Sequence, residues 1–328
     1  MQLKHTKLIA AIGFALASIA SAPVHAGALA MSDLNITALY LSTATGAPIP
    51  ENASIQVLSE SRTLSNSANY NGVSGSGSGS ATTTVVGAAL DRAAVCVGPS
   101  CAGIAGALYG GNIENNVSTH IAPAPTSNYA LGDTYISGSA LGGGSISGLT
   151  RSDAEAVGPT NTGGSAANLI NSATLGSKFT VGTSFAGNIA VGGDAYFNVW
   201  VNDVLGQSNR ASATMSWAIT ISCDGPLTGV EPTNCSTFNG GSTSFTFTPE
   251  KFQYNRTTSR SSNNFSASYT GTQVSGTALN FVAGNQYTLT VGQNTLANVS
   301  SLPEPASLAL VGLAIAGLGV ASRRRAAR

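Results

Sequence analysis

Alternating apolar and small polar residues in the second half of the chain constrain its fold more than any other feature. From Lys178 to Phe185, and again over residues 211–222, a large apolar residue occupies nearly every second position. In the second run these residues are Met215, Trp217, Ile219 and Ile221. A spacing of two is the side-chain period of a β-strand that buries one face. The chain is therefore predicted to be built from strands.

Further short segments carry the same signal between Gly, Asn and Ser turns, at residues 33–41, 54–58, 195–201, 243–248, 265–270 and 286–291. In the first segment we expect Leu34, Ile36, Ala38 and Tyr40 to share a face. Gly192-Gly193-Asp194 predicts a hairpin turn, and no run has a helical period of comparable length. We expect an all-β fold, an antiparallel β-sandwich of jelly-roll or immunoglobulin-like type. If it has two subdomains, they divide near 150–175.

The N-terminus has the parts of a secretory signal peptide. Basic residues open the chain, residues 8–20 are almost entirely apolar, and small residues precede Gly27. We expect cleavage between Ala26 and Gly27, so that residues 1–26 take no part in the fold. An N-terminal membrane helix is the alternative, but the apolar run is short for one.

The C-terminus carries the tripeptide Pro303-Glu304-Pro305, an uncharged apolar run over residues 306–321 and a basic end. The basic residues are Arg323, Arg324, Arg325 and Arg328. We expect the apolar run to form a transmembrane helix, although its length is just below the usual ~17–25 residues. The arginines would then stay cytoplasmic as its anchor. The exported body would span residues 27–302, followed by the signal at residues 303–328.

This order of parts resembles the PEP-CTERM sorting signal of Gram-negative bacteria. The resemblance covers the tail and the general layout of the chain, and it rests on the tripeptide, the apolar run and the arginines. It implies that an exosortase, a membrane-embedded cysteine peptidase, recognises the tripeptide and processes the tail. It also implies a protein held transiently in the inner membrane and then placed at the cell surface or outside the cell. Such proteins accompany exopolysaccharide production and biofilm or floc formation.

The tail has three other interpretations. A plain C-terminal membrane anchor satisfies hydropathy and charge alone. A sortase signal is the second, because Leu302-Pro303 begins like LPxT, but Pro305 stands where the threonine would be. A GPI signal would lack the closing arginines and need a longer polar spacer.

Charge argues against a nucleic-acid partner. The two ends contain six of the fourteen basic residues and one of the fourteen acidic residues, which leaves eight basic and thirteen acidic residues in the body. Such a mildly acidic body has no basic footprint for nucleic acid. Gly, Ser, Thr, Ala and Asn dominate, yet β-branched and aromatic residues recur in alternating runs, which disordered segments lack. We therefore expect an ordered body.

The four cysteines predict disulfides in an exported protein. Cys96 and Cys101 enclose four residues, and Cys223 and Cys235 enclose eleven. Local pairing is the simplest of the three connectivities. A zinc site with four cysteine ligands is the alternative, but an eleven-residue gap exceeds the usual ligand spacing. We expect no metal and no cofactor.

Two polar stretches are interpreted as loops. The Gly-Ser repeat over residues 75–80 has the composition of a flexible linker. Arg151, Asp153 and Glu155 place three charges within five residues, for which we expect a solvated turn or the start of a short helix. A carboxylate pair there could instead serve acid–base chemistry or bind calcium.

Catalytic candidates are few. His120 is the one histidine of the body, and a nucleophilic triad would need it as its base. No catalytic residue is predicted. Tyr196 and Trp200 share one face of their strand, which is either covered or exposed for stacking on sugar rings. We expect a non-enzymatic exported protein of the cell surface or extracellular matrix associated with exopolysaccharide. A carbohydrate-binding sandwich and a secreted hydrolase with a carboxylate pair are the alternatives.

Overall fold

The computed structural model describes residues 27–49, 55–83, 91–101, 128–138, 141, 147–157, 162–168, 175–202, 207–226 and 234–303. The expected signal peptide, the apolar tail and its arginines lie outside these residues. Within them, no helix is long and apolar enough to cross a membrane.

The described residues form mostly long strands, numbered here in chain order. They are β1 Gly27–Ser42, β2 Ile55–Tyr70, β3 Val73–Thr83, β4 Asp91–Val97, β5 Tyr129–Ser137, β6 Ser147–Val157, β7 Thr162–Asn168, β8 Leu175–Val181, β9 Phe185–Val201, β10 Gln207–Pro226, β11 Ser244–Phe247, β12 Tyr254–Thr258, β13 Phe265–Val274, β14 Leu279–Phe281 and β15 Asn285–Pro303. Short 3-10 turns lie at Asn234–Thr237, Glu250–Phe252 and Ser261–Asn263. The chain is thus nearly all β, as predicted.

The strands form two antiparallel sheets. Sheet A has the order β13–β9–β1–β6–β5–β4, and β14 also pairs with β9. Sheet B has the order β11–β10–β15–β7–β2–β3, with β12 beside β10 and with β8 beside both β15 and β2. Each sheet combines strands from before and after residues 150–175, so the described strands on both sides of that stretch share the same two sheets.

The sheets face each other across one large hydrophobic core. Sheet B contributes Met215, Trp217, Ile219 and Ile221 of β10, each at most 1% exposed. Sheet A contributes alternate residues of β9, among them Phe197 and Val199, to the same cluster. The predicted buried face of residues 211–222 is therefore confirmed, and the arrangement is sandwich-like. The assignment to a jelly-roll or immunoglobulin-like type stays a prediction.

Short polar side chains tie the two sheets together inside this core. The Ser32 hydroxyl donates to the Thr214 carbonyl at 2.9 Å, and the Ser152 hydroxyl donates to the Thr295 carbonyl at 2.9 Å. The buried Gln293 amide donates to a backbone carbonyl of β1 at 2.6 Å. Buried polar groups need such partners, because leaving them unpaired would cost stability.

A β-bulge in β1 changes which of its residues face the core. The pairing of β1 with β9 shifts register between Ile36 and Ala38. Beyond the shift, Leu39 and Leu41 are buried in the core, whereas Tyr40 is only partly buried. The expectation that Ala38 and Tyr40 continue the face of Leu34 is therefore wrong. An extra residue in one strand reverses the side-chain alternation, and nothing in the sequence marks its position.

Gly192 and Gly193 form no hairpin turn, and that prediction is wrong. Both lie within the single strand β9, and neither has the positive φ that a two-residue hairpin turn requires. They lie opposite the bulge of β1, where a Cβ on Gly193 would come within 2.4 Å of the Asn35 carbonyl oxygen. The glycines therefore permit a close approach of backbone. The chain turns at residues 182–184 instead, where it passes from β8 in sheet B to β9 in sheet A.

The Gly-Ser repeat over residues 75–80 is also not a loop. It lies in β3, which pairs with β2 from Tyr70 opposite Val73 onward. Asn71 and Gly72 form the tight turn, with φ of 48° and 84°. An Asn-Gly pair is the strongest short-range hairpin signal. The sequence therefore carried a signal for this hairpin, although the composition of residues 75–80 favoured a flexible loop.

The structure pairs Cys96 with Cys101 and Cys223 with Cys235, with Cα–Cα distances of 5.8 Å in both cases. This is the local connectivity that the spacing favoured. The first disulfide joins Cys96, within β4, to Cys101 shortly after the end of that strand. The second ties the far end of β10 to the 3-10 turn at Asn234–Thr237, and both of its cysteines join the core cluster.

We predict that Gly193→Ala lowers the free energy of unfolding by about 1–3 kcal/mol, because the new methyl group must displace the backbone of β1. Urea denaturation measures the change. The matched control is Gly276→Ala, since a Cβ there meets nothing within 4 Å. The control should stay within about 1 kcal/mol of the native protein. Equal losses in both variants would contradict this role of Gly193.

Candidate functional site

The stretch around Arg151, Asp153 and Glu155 is a buried strand, and the prediction of a solvated turn or helix start is wrong. The three residues lie in β6 and are 4%, 0% and 7% exposed. They alternate with Ser152 and Ala154, which face the sandwich core. This alternation of charged and small residues was the available strand signal. Because charged side chains are rarely buried, their presence favours a solvated turn over a strand.

Neighbouring strands add two further carboxylates to the same outer face of sheet A. Asp33 of β1 and Asp133 of β5 lie on either side of Arg151 in the strand register. Both are buried, at 2% and 4% exposure. We call Asp33, Asp133, Arg151, Asp153 and Glu155 the buried charge cluster. Its four acids and one base are held where a sheet would ordinarily carry either solvated or apolar side chains.

Asp153 is the centre of this cluster. Its Oδ2 accepts a hydrogen bond from Arg151 Nη2 at 2.9 Å and another from the Tyr129 hydroxyl at 2.8 Å. Burial raises the pKa of Tyr129 well above its ordinary value, and Asp153 and Glu155 add to that shift. Tyr129 therefore stays a neutral donor at any physiological pH. Burial lowers the pKa of Arg151, but Asp153 and Asp33 raise it more, so that the guanidinium stays charged.

Asp33 is the acid whose ionised form is disfavoured in this arrangement. Burial raises its pKa from 3.8 to about 7, and although Arg151 opposes the shift, Asp133, Asp153 and Asp194 add to it. Its Oδ1 has no hydrogen-bond partner among the described residues. Asp33 therefore changes between its protonated and ionised forms near pH 7, well above the usual range of an aspartate.

The buried charge cluster gives little support to calcium binding or to acid–base chemistry, the two functions that its acids suggested. Within the described part of the chain, no group of three His, Cys, Asp or Glu residues could hold a metal ion. Acid–base chemistry needs contact with a substrate, and Asp33, Asp133 and Asp153 are buried. The hydrogen bond from Tyr129 to Asp153 instead joins β5 to β6 within sheet A.

A second buried ion pair lies inside the sandwich. Arg62 of β2 contacts Glu60 at 3.2 Å, and Glu60 also accepts a hydrogen bond from Ser177 at 3.2 Å. Arg62 donates as well to the Gly138 carbonyl. Both ion pairs found among the described residues are therefore internal, and neither presents charge to a partner.

Tyr196 does not belong to an exposed aromatic strip. It is 2% exposed, on the same face of sheet A as the buried charge cluster, while Trp200 is partly buried. Phe197, Val199 and Val201 fill the core on the other face. Both faces of β9 are thus covered near Tyr196, and stacking of sugars on this residue is excluded in this conformation.

Most residues of the predicted sorting and cleavage sites lie outside the described residues, as does His120. The exceptions are Gly27 and Pro303, the first residue of β1 and the last of β15. These two residues lie at the same end of the protein. Gly27 lies beside the end of β9, and Pro303 lies opposite Gln207 at the start of β10. We call this end the terminal pole.

Asn202 joins the two sheets at the terminal pole. Its Oδ1 accepts a hydrogen bond from the Gly27 backbone N–H at 2.6 Å and another from Asn209 Nδ2 at 3.1 Å. Asn209 also donates to the Asn202 carbonyl at 2.8 Å and lies opposite Ser301 of β15. One side chain therefore connects the first strand of the body with the strand that pairs with the last.

A family model of the PEP-CTERM protein-sorting motif matches residues 301–325. The match includes the Pro303-Glu304-Pro305 tripeptide and begins within β15. Among curated proteins and solved structures, nothing matches the chain significantly. The predicted sorting signal is confirmed, and it is consistent with an exosortase substrate. It supports an exported protein that is anchored in the membrane before processing and then reaches the cell surface.

We predict that Asp33 makes the stability of the native protein fall between pH 4 and pH 8. In the folded protein its pKa is raised from 3.8 to about 7. The contribution of Asp33 to the free energy of unfolding is therefore fully present below pH 3.8 and is lost as the pH rises through about 7. Asp33→Asn cannot ionise. Relative to the native protein, the variant should gain up to about 4 kcal/mol between these limits.

Urea denaturation at pH 4, 6 and 8 measures this difference. Asp224→Asn is the matched control, because it removes the same carboxyl group from an exposed position. Parallel profiles for Asp33→Asn and the native protein would show that Asp33 ionises normally.

Proposed function

We propose that this exported protein is a non-enzymatic component of the cell surface or extracellular matrix, and that it contacts exopolysaccharide. The sorting signal supports export to the cell surface. The observation that carries the proposal is the outer face of sheet B, a broad surface of hydroxyl and amide groups without charge at its centre.

This face is built by the outward residues of β10 and β15, the two longest strands of sheet B. All of the following are partly or fully exposed: Ser212, Ser216, Thr220, Thr290, Asn294 and Asn298. No outward position of β10 between Ser212 and Ser222 carries a charged side chain, nor does one of β15 between Gln286 and Ser300. We call this surface the hydroxyl face.

Hydroxyl and amide groups on a pleated surface suit a neutral polysaccharide. Each can donate and accept hydrogen bonds, as sugar hydroxyls do. Thr220 is aligned with Thr246 on one side and Thr290 on the other, and the Thr220 and Thr246 hydroxyls are 2.9 Å apart. Such rows repeat across strands about 4.8 Å apart, which supports contact at many weak points instead of a single pocket.

The distribution of charge supports a non-enzymatic role. The acids that the sequence offered as catalytic candidates around residue 153 are buried and bonded within sheet A. The hydroxyl face itself carries no charged side chain, and the ionisable Lys178 and Asp224 lie at one end of it, beside Thr288. Both features favour contact over catalysis.

We predict that the protein recovered from the cell surface is retained on exopolysaccharide from the producing strain. Retention should exceed that of an inert protein of similar size. Thr220→Glu combined with Asn294→Glu should weaken retention by about tenfold or more, because each carboxylate must be desolvated against neutral sugars. Affinity electrophoresis in gels that contain the polysaccharide measures the change.

The matched control places two glutamates on exposed positions of β13 in sheet A, through Ser268→Glu and Thr272→Glu. It adds the same charge but leaves the hydroxyl face intact, so retention should not change. The proposal fails if the native protein is retained no better than the inert protein. It also fails if both glutamate pairs weaken retention equally.

A further inference from the structure

The sorting motif begins inside the folded body. The matched region starts at residue 301, whereas β15 continues to Pro303. Ser301, Leu302 and Pro303 pair with Asn209, Ser208 and Gln207 of β10, respectively. On the other side of β15, pairing with β7 ends at Ser300. Among the described residues, the first three residues of the motif are therefore held in sheet B from one side, by β10.

Very little chain separates this strand from the apolar run. Only Glu304 and Pro305 lie between Pro303 and Ala306. Three residue steps span at most about 11 Å when fully extended. The interfacial layer of a bilayer is itself roughly 5–8 Å thick on each side. With the tail in the membrane, the terminal pole must therefore rest at or close to the membrane surface.

The start of the body lies at the same end. Gly27 and Pro303 are joined through the Asn202 and Asn209 side chains, so a signal peptide before Gly27 and a tail after Pro303 would leave the body from one pole. Insertion of both hydrophobic ends into one membrane therefore requires no rearrangement of the sandwich. The terminal pole is the face that a membrane-embedded enzyme meets.

We propose that the pairing of residues 301–303 with β10 gates the sorting reaction, and that the exosortase binds its tripeptide only after this end of β15 has separated from β10. The proposal rests on the exosortase-dependent export from which the proposed function starts, and it names how the body regulates that step. A peptidase must hold the chain on both sides of the bond that it cuts. The short segment after Pro303 leaves too little free chain on the body side.

The geometry at the terminal pole suits such a gate. Pro303 has no backbone N–H to donate to β10, and residues paired on one side at a strand end open at low free energy. Asn209 stays bonded to Asn202, which in turn bonds Gly27, so β10 keeps its own anchor when β15 separates. Opening therefore affects the end of β15 alone.

Releasing the motif from the body tests the gate. A flexible Gly-Ser insertion of about six residues between Ser300 and Ser301 adds up to ~20 Å of free chain and leaves residues 301–328 unchanged. In cells that contain the exosortase, pulse-chase labelling should show the tail lost about tenfold faster than from the native full-length protein. That factor is of the order expected when a few strand-end hydrogen bonds no longer need to break. The same insertion between the exposed Gly240 and Gly241, at the opposite end of sheet B, is the matched control and should leave the rate unchanged.

Locking the gate tests it in the opposite direction. Ser208→Cys with Leu302→Cys places two cysteines at paired positions of β10 and β15. Thiol labelling reports whether they have bonded, since the four native cysteines are already paired. The bonded variant should keep its tail, and reductant should restore processing. Leu302→Cys alone corrects for the change within the motif.

An unchanged rate after the insertion at Ser300 would overturn the gate, as would normal processing of the bonded variant. Failure of the exosortase sorting itself gives a different result, because the native protein would then keep its tail in the presence of the enzyme. Failure of polysaccharide binding would leave all of these rates unaffected.

Discussion

The antiparallel pairing of β10 with β15 is the constraint on which the rest of the structure depends. It runs from Gln207 opposite Pro303 to Pro226 opposite Asn285. Because its register is fixed, the alternate residues of β10 that include Trp217 fill the core, and the residues between them build the hydroxyl face. The same register carries the second disulfide to one end of sheet B and the first residues of the sorting motif to the other. Core, outer surface and sorting signal are therefore set by one strand pair.

The two sheets differ in where their charged side chains lie. Sheet A buries an excess of acids around Asp153, where Arg151 and Tyr129 donate to the central carboxylate and burial leaves Asp33 to ionise only near pH 7. The central outward positions of β10 and β15 in sheet B carry uncharged side chains instead. Burying charge in pairs is costly and adds little net stability, and the two hydrogen bonds to Asp153 come from β6 itself and from the neighbouring β5.

Much of this structure was predictable from the sequence. The apolar period of residues 211–222 gave the buried face of β10, the cysteine spacing favoured the observed pairs, and the tripeptide at Pro303 gave the sorting signal. The hairpin at Asn71-Gly72 and the strand through Asp153 were also predictable, but linker-like composition and charge obscured them. The bulge near Thr37 and the close approach at Gly193 were not, because both arise from how two distant strands meet. Likewise, no local pattern shows that β15 continues into the motif, since that depends on β10.

The most direct test of the central claim is the intact mass of the protein at the cell surface, with and without the exosortase. The folded β body, with the signal peptide and the apolar tail at the same pole, should be exported to the cell surface and should lose both segments. With the enzyme present, the mass should correspond to a chain that begins at Gly27 and has lost the apolar run from Ala306 onward. Without the enzyme, the tail should remain. A surface protein that still ends at Arg328 in the presence of the enzyme would contradict the account.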